Sequence, residues 1–269
     1  MRLDIYLAEQ KLAKSRSRAA SLIDGGFVTV NGIAVTKASY DVKEDDAVLV
    51  TGEEHGFVGR GGMKLDGALT RFSLDVTGLI CADIGASTGG FTDCLVKHGA
   101  EKVYAVEVGF GQLAGSLSQD PHVVNLEKTN LGDEKLLTLD PRPDLGSVDL
   151  SYLSLVKAVP QYREIMHGKG ELMCLVKPLF ETDDPNARRT GEIDPQSFPA
   201  LLRKLCDTLD QQEGTHAVAV THSPVTGNNG THEFFLHIIF GEEEHPAVTD
   251  EAIEAAFTRV MQLQKYHKQ

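Results

Sequence analysis

The chain has 269 residues, 41% of them hydrophobic, enough to bury one large core and a second, smaller one. Its long apolar runs, such as Phe234 to Phe240, fall far short of the ~20 residues of a membrane-spanning helix, and "MRLDIYLAEQ" lacks a signal-peptide core, so a cytoplasmic chain with no membrane partner is expected. A net charge of −13 argues against polyanion binding by the chain as a whole; the ten histidines and four cysteines show no CxxC, HxxxH or HExxH spacing, so reduced thiols and no metal are expected.

The charge is uneven. Residues 1–50 hold seven basic and seven acidic residues, so the whole excess of −13 falls on residues 51–269. Within residues 1–18, Arg2, Lys11, Lys14, Arg16 and Arg18 outnumber Asp4 and Glu9, and any grip on nucleic acid is expected there. Leu3, Ile5, Leu7 and Leu12 recur at helix-like spacing. A second helix follows, with Ser15 as its N-cap, Ala19, Leu22 and Ile23 on one face, and Gly25-Gly26 as its stop. In "FVTVNGIAV" the period changes to two, and Asn31-Gly32 between apolar runs predicts a hairpin.

Residues 51–62, "TGEEHGFVGRGG", read as a glycine-rich linker. A helix is predicted to begin at Met63, with Met63, Ala68, Leu69 and Phe72 inward and Leu65 at the margin. Lys64 near its start opposes the helix dipole, which favours anions there, and this suggests a task other than stability. Short apolar runs then alternate with helical stretches: 79–82, 102–108, 123–126, 147–150, 172–176, 217–220 and 234–239. That rhythm predicts an α/β domain of seven strands over residues 63–269, a largely parallel sheet with ligands at the strands' carboxyl ends.

After the first of these strands, "DIGASTGGF" brings Asp83, Gly85, Gly89 and Gly90 close to a ligand, with the helix from Phe91 offering free amides. The spacing matches neither G-x-G-x-x-G nor a Walker loop. Glu107 ends the second strand, where a carboxylate accepts from the two hydroxyls of a ribose. A bare loop, a diol acceptor and an acidic surrounding fit S-adenosylmethionine. Asp149, Lys177 and Glu233 stand at the ends of later strands, and a lysine following five apolar residues and preceding Pro178 needs carboxylate partners. Residues 181–195, with Arg188 and Arg189, read as a mobile loop. Ile253, Ala256, Phe257, Val260 and Gln264 trace a final helical stripe, with Lys265 and Lys268 near its end.

The order of helix, Ser/Arg-rich helix and "G-x-V-x-V-N-G" hairpin resembles the S4 RNA-binding domain. The motifs "DIGASTGGFTD", "VYAVEVGFGQLA", "EKTN", "SVDLSYLSL" and "LVKP" resemble the Rossmann-like FtsJ-type ribose 2′-O-methyltransferases. Together they resemble the hemolysin A (TlyA) family of ribosomal RNA methyltransferases. The resemblance implies ribosomal RNA or a ribosomal subunit as partner and S-adenosylmethionine as donor. It implies catalysis by Lys64, Asp149, Lys177 and Glu233, with Asp149 and Glu233 holding Lys177 and the neighbouring cation lowering the pKa of that lysine. Donor contacts are implied for Asp83, Gly85, Ser87, Thr88, Gly89, Gly90, Phe91, Glu107, Thr129 and Asn130. RNA contacts are implied for Arg2, Lys11, Lys14, Arg16, Arg18, Arg60, Arg188 and Arg189. Leu179 stands where the family usually has glutamine, and Gly115-Ser116 where bulkier residues are common.

Overall fold

The computed structural model describes the chain except residues 14, 25, 26, 36, 44, 51–55, 152, 228, 229 and 264–269, and the side chains of residues 17, 21, 24 and 34. The N-terminal unit packs α1 (Leu3–Glu9) and α2 (Arg16–Asp24) against a small antiparallel sheet of β1 (Val28–Val30), β2 (Ile33–Ala34) and β3 (Val48–Val50), in the order β2-β1-β3. Ser15 caps α2, its hydroxyl accepting from the Arg18 amide at 3.1 Å. Asn31 and Gly32 take φ of 53° and 80°, the two positive values a two-residue hairpin turn demands. Leu3, Leu7, Ala19, Leu22, Ile23, Val28 and Val30 form a separate core. Leu12 does not join it and is 41% exposed, because α1 ends three residues earlier, at Glu9. The expected stop at Gly25-Gly26 lies outside the described residues.

The larger unit opens with α3 (Arg60–Phe72), three residues ahead of the expected start. Leu65 is fully buried and Met63 only half-buried, the reverse of the expected facing, because Leu65, Ala68, Leu69 and Phe72 stand at i, i+3, i+4 and i+7 and share one face that Met63 does not. The sheet strands are β4 (Ile80–Ile84), β5 (Lys102–Glu107), β6 (Val123–Glu127), β7 (Leu145–Val148), β8 (Gly170–Val176), β9 (Thr215–His222) and β10 (Phe234–Phe240). Their order is β6-β5-β4-β7-β8-β10-β9. Only β10 runs against its neighbours. Residues 223–233 between β9 and β10 are too few for a crossover helix, so β10 turns back and inserts between β8 and β9.

Helices α4 (Gly90–Lys97), α5 (Gly115–Ser118), α6 (Leu155–Ile165), α7 (Pro178–Glu181), α8 (Pro185–Thr190), α9 (Phe198–Asp210) and α10 (Asp250–Val260) complete the unit. One face of the sheet is covered by α6, α9 and α10, with Tyr162, Leu202 and Ile253 in that core; α3 and α4 cover the other through Leu65, Leu69 and Leu95. All four cysteines are buried free thiols. In α10, Ile253, Ala256 and Val260 are buried and Phe257 packs partly against them, while Gln264, Lys265 and Lys268 lie outside the described residues.

Residues 181–195 are not the irregular loop their composition suggests. Asp184 caps α8 by accepting from the Asn186 amide, Pro185 takes the first helical position, and Gly191 closes the helix with φ 75°. A turn of 3-10 helix follows at 195–197, capped by Asp194.

Candidate active site

Four charged side chains meet at the carboxyl end of the sheet. Asp149 follows β7 directly, Lys177 follows β8 and is fixed by Pro178 at the start of α7, and Glu233 precedes β10. Lys64 reaches them from the second turn of α3. They form two ion pairs: Lys64 Nζ lies 2.6 Å from Glu233 Oε2, and Lys177 Nζ contacts Asp149 Oδ1. Lys177 also donates to Ser151 Oγ at 3.3 Å. Glu233 therefore partners Lys64, whereas the sequence reading joined it to Lys177. The pair on α3 is the deeper, with side-chain exposures of 11% and 5% against 18% and 26% for Lys177 and Asp149. Charges removed from water to that extent stay only when paired, and the ion pair with Glu233 resolves the misplaced helix-start charge of Lys64.

Both pairs line one cavity of about 970 Å³. Gly85, Ala86, Ser87, Thr88, Gly90 and Phe91 form its floor, and Arg60, Leu179, Ile193 and Thr226 belong to its walls. The loop's shape is set from below. Asp83 is wholly buried, accepting from Thr92 Oγ1 at 2.7 Å and Ser147 Oγ at 3.1 Å, so it ties α4 and β7 to β4. Burial pushes its carboxyl up to about 6. Gly85 has φ 88°, and a Cβ there would meet the Asp149 carbonyl oxygen at 2.5 Å. The bare loop thus sits directly against the peptide that carries the Asp149 carboxylate. Gly90 also approaches Gly61 closely, a Cβ on it falling 3.0 Å from the Gly61 Cα, which seats α4 against the start of α3.

Glu107 holds the loop from the side. Its carboxylate accepts from the Ser87 amide at 2.8 Å and the Gly109 amide at 2.7 Å. Gly85, Ser87, Thr88, Gly90 and Phe91 are on the cavity surface, whereas Asp83, Gly89, Glu107, Thr129 and Asn130 are behind or beside it. Thr129 is buried, its hydroxyl donating to the Glu127 carbonyl; Asn130 is exposed and caps its own turn by accepting from the Gly132 amide. The residues present fit a sulfonium nucleoside. Bare backbone faces the cavity, a strand-end carboxylate stands beside it, and the volume suits a donor together with an acceptor group.

Several supports escaped the sequence reading. Ser147, Thr92 and Ser151 are single small hydroxyls whose value appears only when strands come together. Glu181, half-buried, accepts from Ser154 Oγ at 2.6 Å and the Leu155 amide at 2.9 Å, which locks the segment after Lys177 onto α6. Its place in "LVKPLFE" was the available signal.

The basic residues divide. Arg2 and Arg16 both clamp the buried Asp4, at 3.0 and 2.8 Å, and Arg2 foremost holds that carboxyl down at about 2. Arg18 Nη1 reaches the Phe57 carbonyl at 3.5 Å, joining the small unit to the segment before α3. Lys11 is exposed in a turn with φ 57°. Lys14 lies outside the described residues. Arg60 turns into the cavity wall and donates to the Thr226 carbonyl, while Arg188 and Arg189 are exposed in the last turn of α8.

The FtsJ-like methyltransferase family matches residues 57–240, and the S4 domain matches residues 1–48. A 16S/23S rRNA (cytidine-2′-O)-methyltransferase TlyA of Mycobacterium tuberculosis is 40% identical over 241 residues, 87% of this chain and 88% of that protein. Hemolysin A of Brachyspira hyodysenteriae is 37% identical over 242 residues, covering 89% of this chain and all of the other. A solved structure of a hemolysin-designated protein from Streptococcus thermophilus superposes with TM-score 0.75 at 30% identity, over 97% of this chain and 96% of that one. Among the described residues no helix is long and apolar enough to cross a membrane. With an S4 unit before a seven-stranded domain whose glycine loop and paired lysines share one cavity, the chain belongs to the FtsJ-like methyltransferases and, among them, to the TlyA/hemolysin A family.

Proposed function

We propose that this protein is a cytoplasmic S-adenosylmethionine-dependent methyltransferase acting on the 2′-hydroxyl of a ribose in ribosomal RNA, free or within a subunit. The supporting observation is the pair of lysine–carboxylate contacts on the wall of the cavity floored by the glycine loop. The Mycobacterium tuberculosis relative is named a cytidine-2′-O-methyltransferase, and the target is inferred to be a cytidine here too.

S-adenosylmethionine supplies, when bound, an electrophilic methyl on a sulfonium. The 2′-hydroxyl is a very weak acid, so its oxygen must shed a proton as it attacks. Lys177, in its neutral form, accepts that proton at Nζ, with Asp149 and Ser151 fixing the direction of the side chain. Lys64 stays an ammonium beside Glu233 and stabilises the charge that develops on the oxygen. Gly85 to Phe91 bind the donor, Glu107 orients that loop and accepts from the donor ribose, and Asp83 acts through the loop as a positioning residue. Leu179, on the cavity wall, offers an apolar contact where the family's usual glutamine would be polar.

Radiolabelled donor incubated with ribosomal RNA and with each subunit tests the reading. Wild type should transfer label to ribose, and Lys177→Ala should transfer at least ~100-fold less while binding the donor with nearly unchanged affinity. Full turnover by Lys177→Ala would remove the assignment, and label found on a base would remove the 2′-hydroxyl.

A further inference from the structure

One group of charges has no part in the chemistry above. Arg71, in the last turn of α3, places Nη2 3.2 Å from Nε2 of His222, the last residue of β9. Arginine can only donate, so Nε2 accepts and the ring proton sits on Nδ1, which has no partner among the described residues. The imidazole is buried, and burial foremost, then Arg71 and Arg259, bring it down to about 4. It is therefore neutral at pH 7 and serves to aim the Arg71 guanidinium. Arg259, in the last turn of α10, is the other cation acting on Arg71 and His222.

Among the described residues neither guanidinium has a carboxylate partner. The contrast with the rest of the unit is sharp, because residues 51–269 carry the entire excess of −13. A cation in a last turn steadies its own helix, but that role does not account for two arginines from different helices both acting on one buried imidazole. Uncompensated neighbouring cations are the usual arrangement of an anion site.

The cluster adjoins the active site. His222 pairs across the sheet with Phe234, and the Ser223 amide donates to the Glu233 carbonyl at 2.9 Å. Lys64 and Arg71 are seven residues apart on α3, which puts them on the same face ~10 Å apart along the axis. Each nucleotide of a helical strand advances ~3.4 Å.

We infer that Arg71 and Arg259, with His222 orienting the former, form a subsite for an RNA backbone phosphate ~3 nucleotides from the methylated ribose. The inference rests on the proposed RNA methyltransferase activity and adds a residue-level footprint outside the S4 unit. Phosphate contacts of this kind fix register and carry no base specificity.

The test compares wild type with Arg71→Gln, Arg259→Gln and the double variant on ribosomal RNA, measuring KM, kcat, donor affinity and the salt dependence of RNA binding. Arg259 is exposed on a surface helix, so its variant should fold as wild type does. The double variant should raise KM for RNA ~5-fold or more with kcat and donor affinity unchanged, and the slope of log K against log salt should flatten by ~0.7 per contact removed. Wild-type KM and salt slope in both Arg259→Gln and the double variant would overturn the subsite while leaving the methyltransferase intact. A wild-type protein that neither binds nor methylates RNA would instead overturn the reading beneath it.

Discussion

Each lysine of the site is matched to its own carboxylate, so single substitutions there act on two properties at once. Replacing Glu233 leaves Lys64 paired with nothing at 11% side-chain exposure. Breaking a buried pair from one side costs about 3 kcal/mol. Glu233→Gln should accordingly lower the urea midpoint and reduce kcat, whereas adding Lys64→Met to it, which removes the second charge and keeps the length, should recover much of the stability and none of the activity. A Glu233→Gln protein as stable as wild type would show that the pair is not held together in solution. Asp83 supplies a pH signature. Its carboxyl is raised from 3.8 to about 6, so the folded state keeps a proton that the unfolded state has released. The stabilisation is full below about pH 4 and disappears as pH rises through about 6, amounting to about 3 kcal/mol. Asp83→Asn should therefore gain stability relative to wild type between pH 4 and 7. Parallel urea midpoints for the two proteins across that range would contradict a proton on Asp83.

At the scale of elements, the glycine loop and the strand ends form one mechanical part. A methyl group on Gly85 meets the Asp149 carbonyl oxygen in a backbone conformation that already disfavours side chains. Gly85→Ala should cost about 2 kcal/mol, and by shifting Asp149 it should weaken donor binding and slow methyl transfer together. Equilibrium dialysis with labelled donor reads the first effect and steady-state kinetics the second; unchanged donor affinity would detach the loop from the donor site. Elements with strong local signals were legible in advance: the Ser15 cap, the Asn31-Gly32 turn and the strand that ends in Glu107. The segment 181–195 was not, although its Asp184-Pro185 start and Gly191 stop are helix signals. Its two prolines and few apolar residues outweighed them in a reading based on composition. The start of α3 was displaced for a related reason, since Gly61 and Gly62 look like linker until Phe91 and Phe57 are seen packed against them.

At the scale of the whole molecule, an acidic catalytic unit is joined to a charge-balanced one, so affinity for RNA must come from a few local patches. Lys11 and Arg188 are both exposed, on separate units. Lys11→Glu and Arg188→Glu should each weaken RNA binding with a reduced salt slope and leave donor binding alone. Filter binding at two salt concentrations decides this, and equal RNA affinity in the two variants and wild type would exclude both patches. Arg2 and Arg16 keep exposed side chains but are also engaged with the buried Asp4, so part of the positive charge near the N-terminus is compensated within the fold.

The sequence by itself determined what depends on neighbours along the chain. Hydrophobic period separates the small α+β unit from the seven-stranded sheet, and the glycine loop and the charged residues at strand ends fall together on one cavity, because strand ends in such sheets share one edge. Only the tertiary structure decided which lysine answers which carboxylate, that Asp83 and Glu107 shape the loop from beneath and beside it, and that Arg71 reaches His222. Those outcomes depend on strand order and helix facing, which bring Lys64 to Glu233 and Arg71 to His222, pairs more than a hundred positions apart, within 2.6 and 3.2 Å, and no local pattern encodes such a distance.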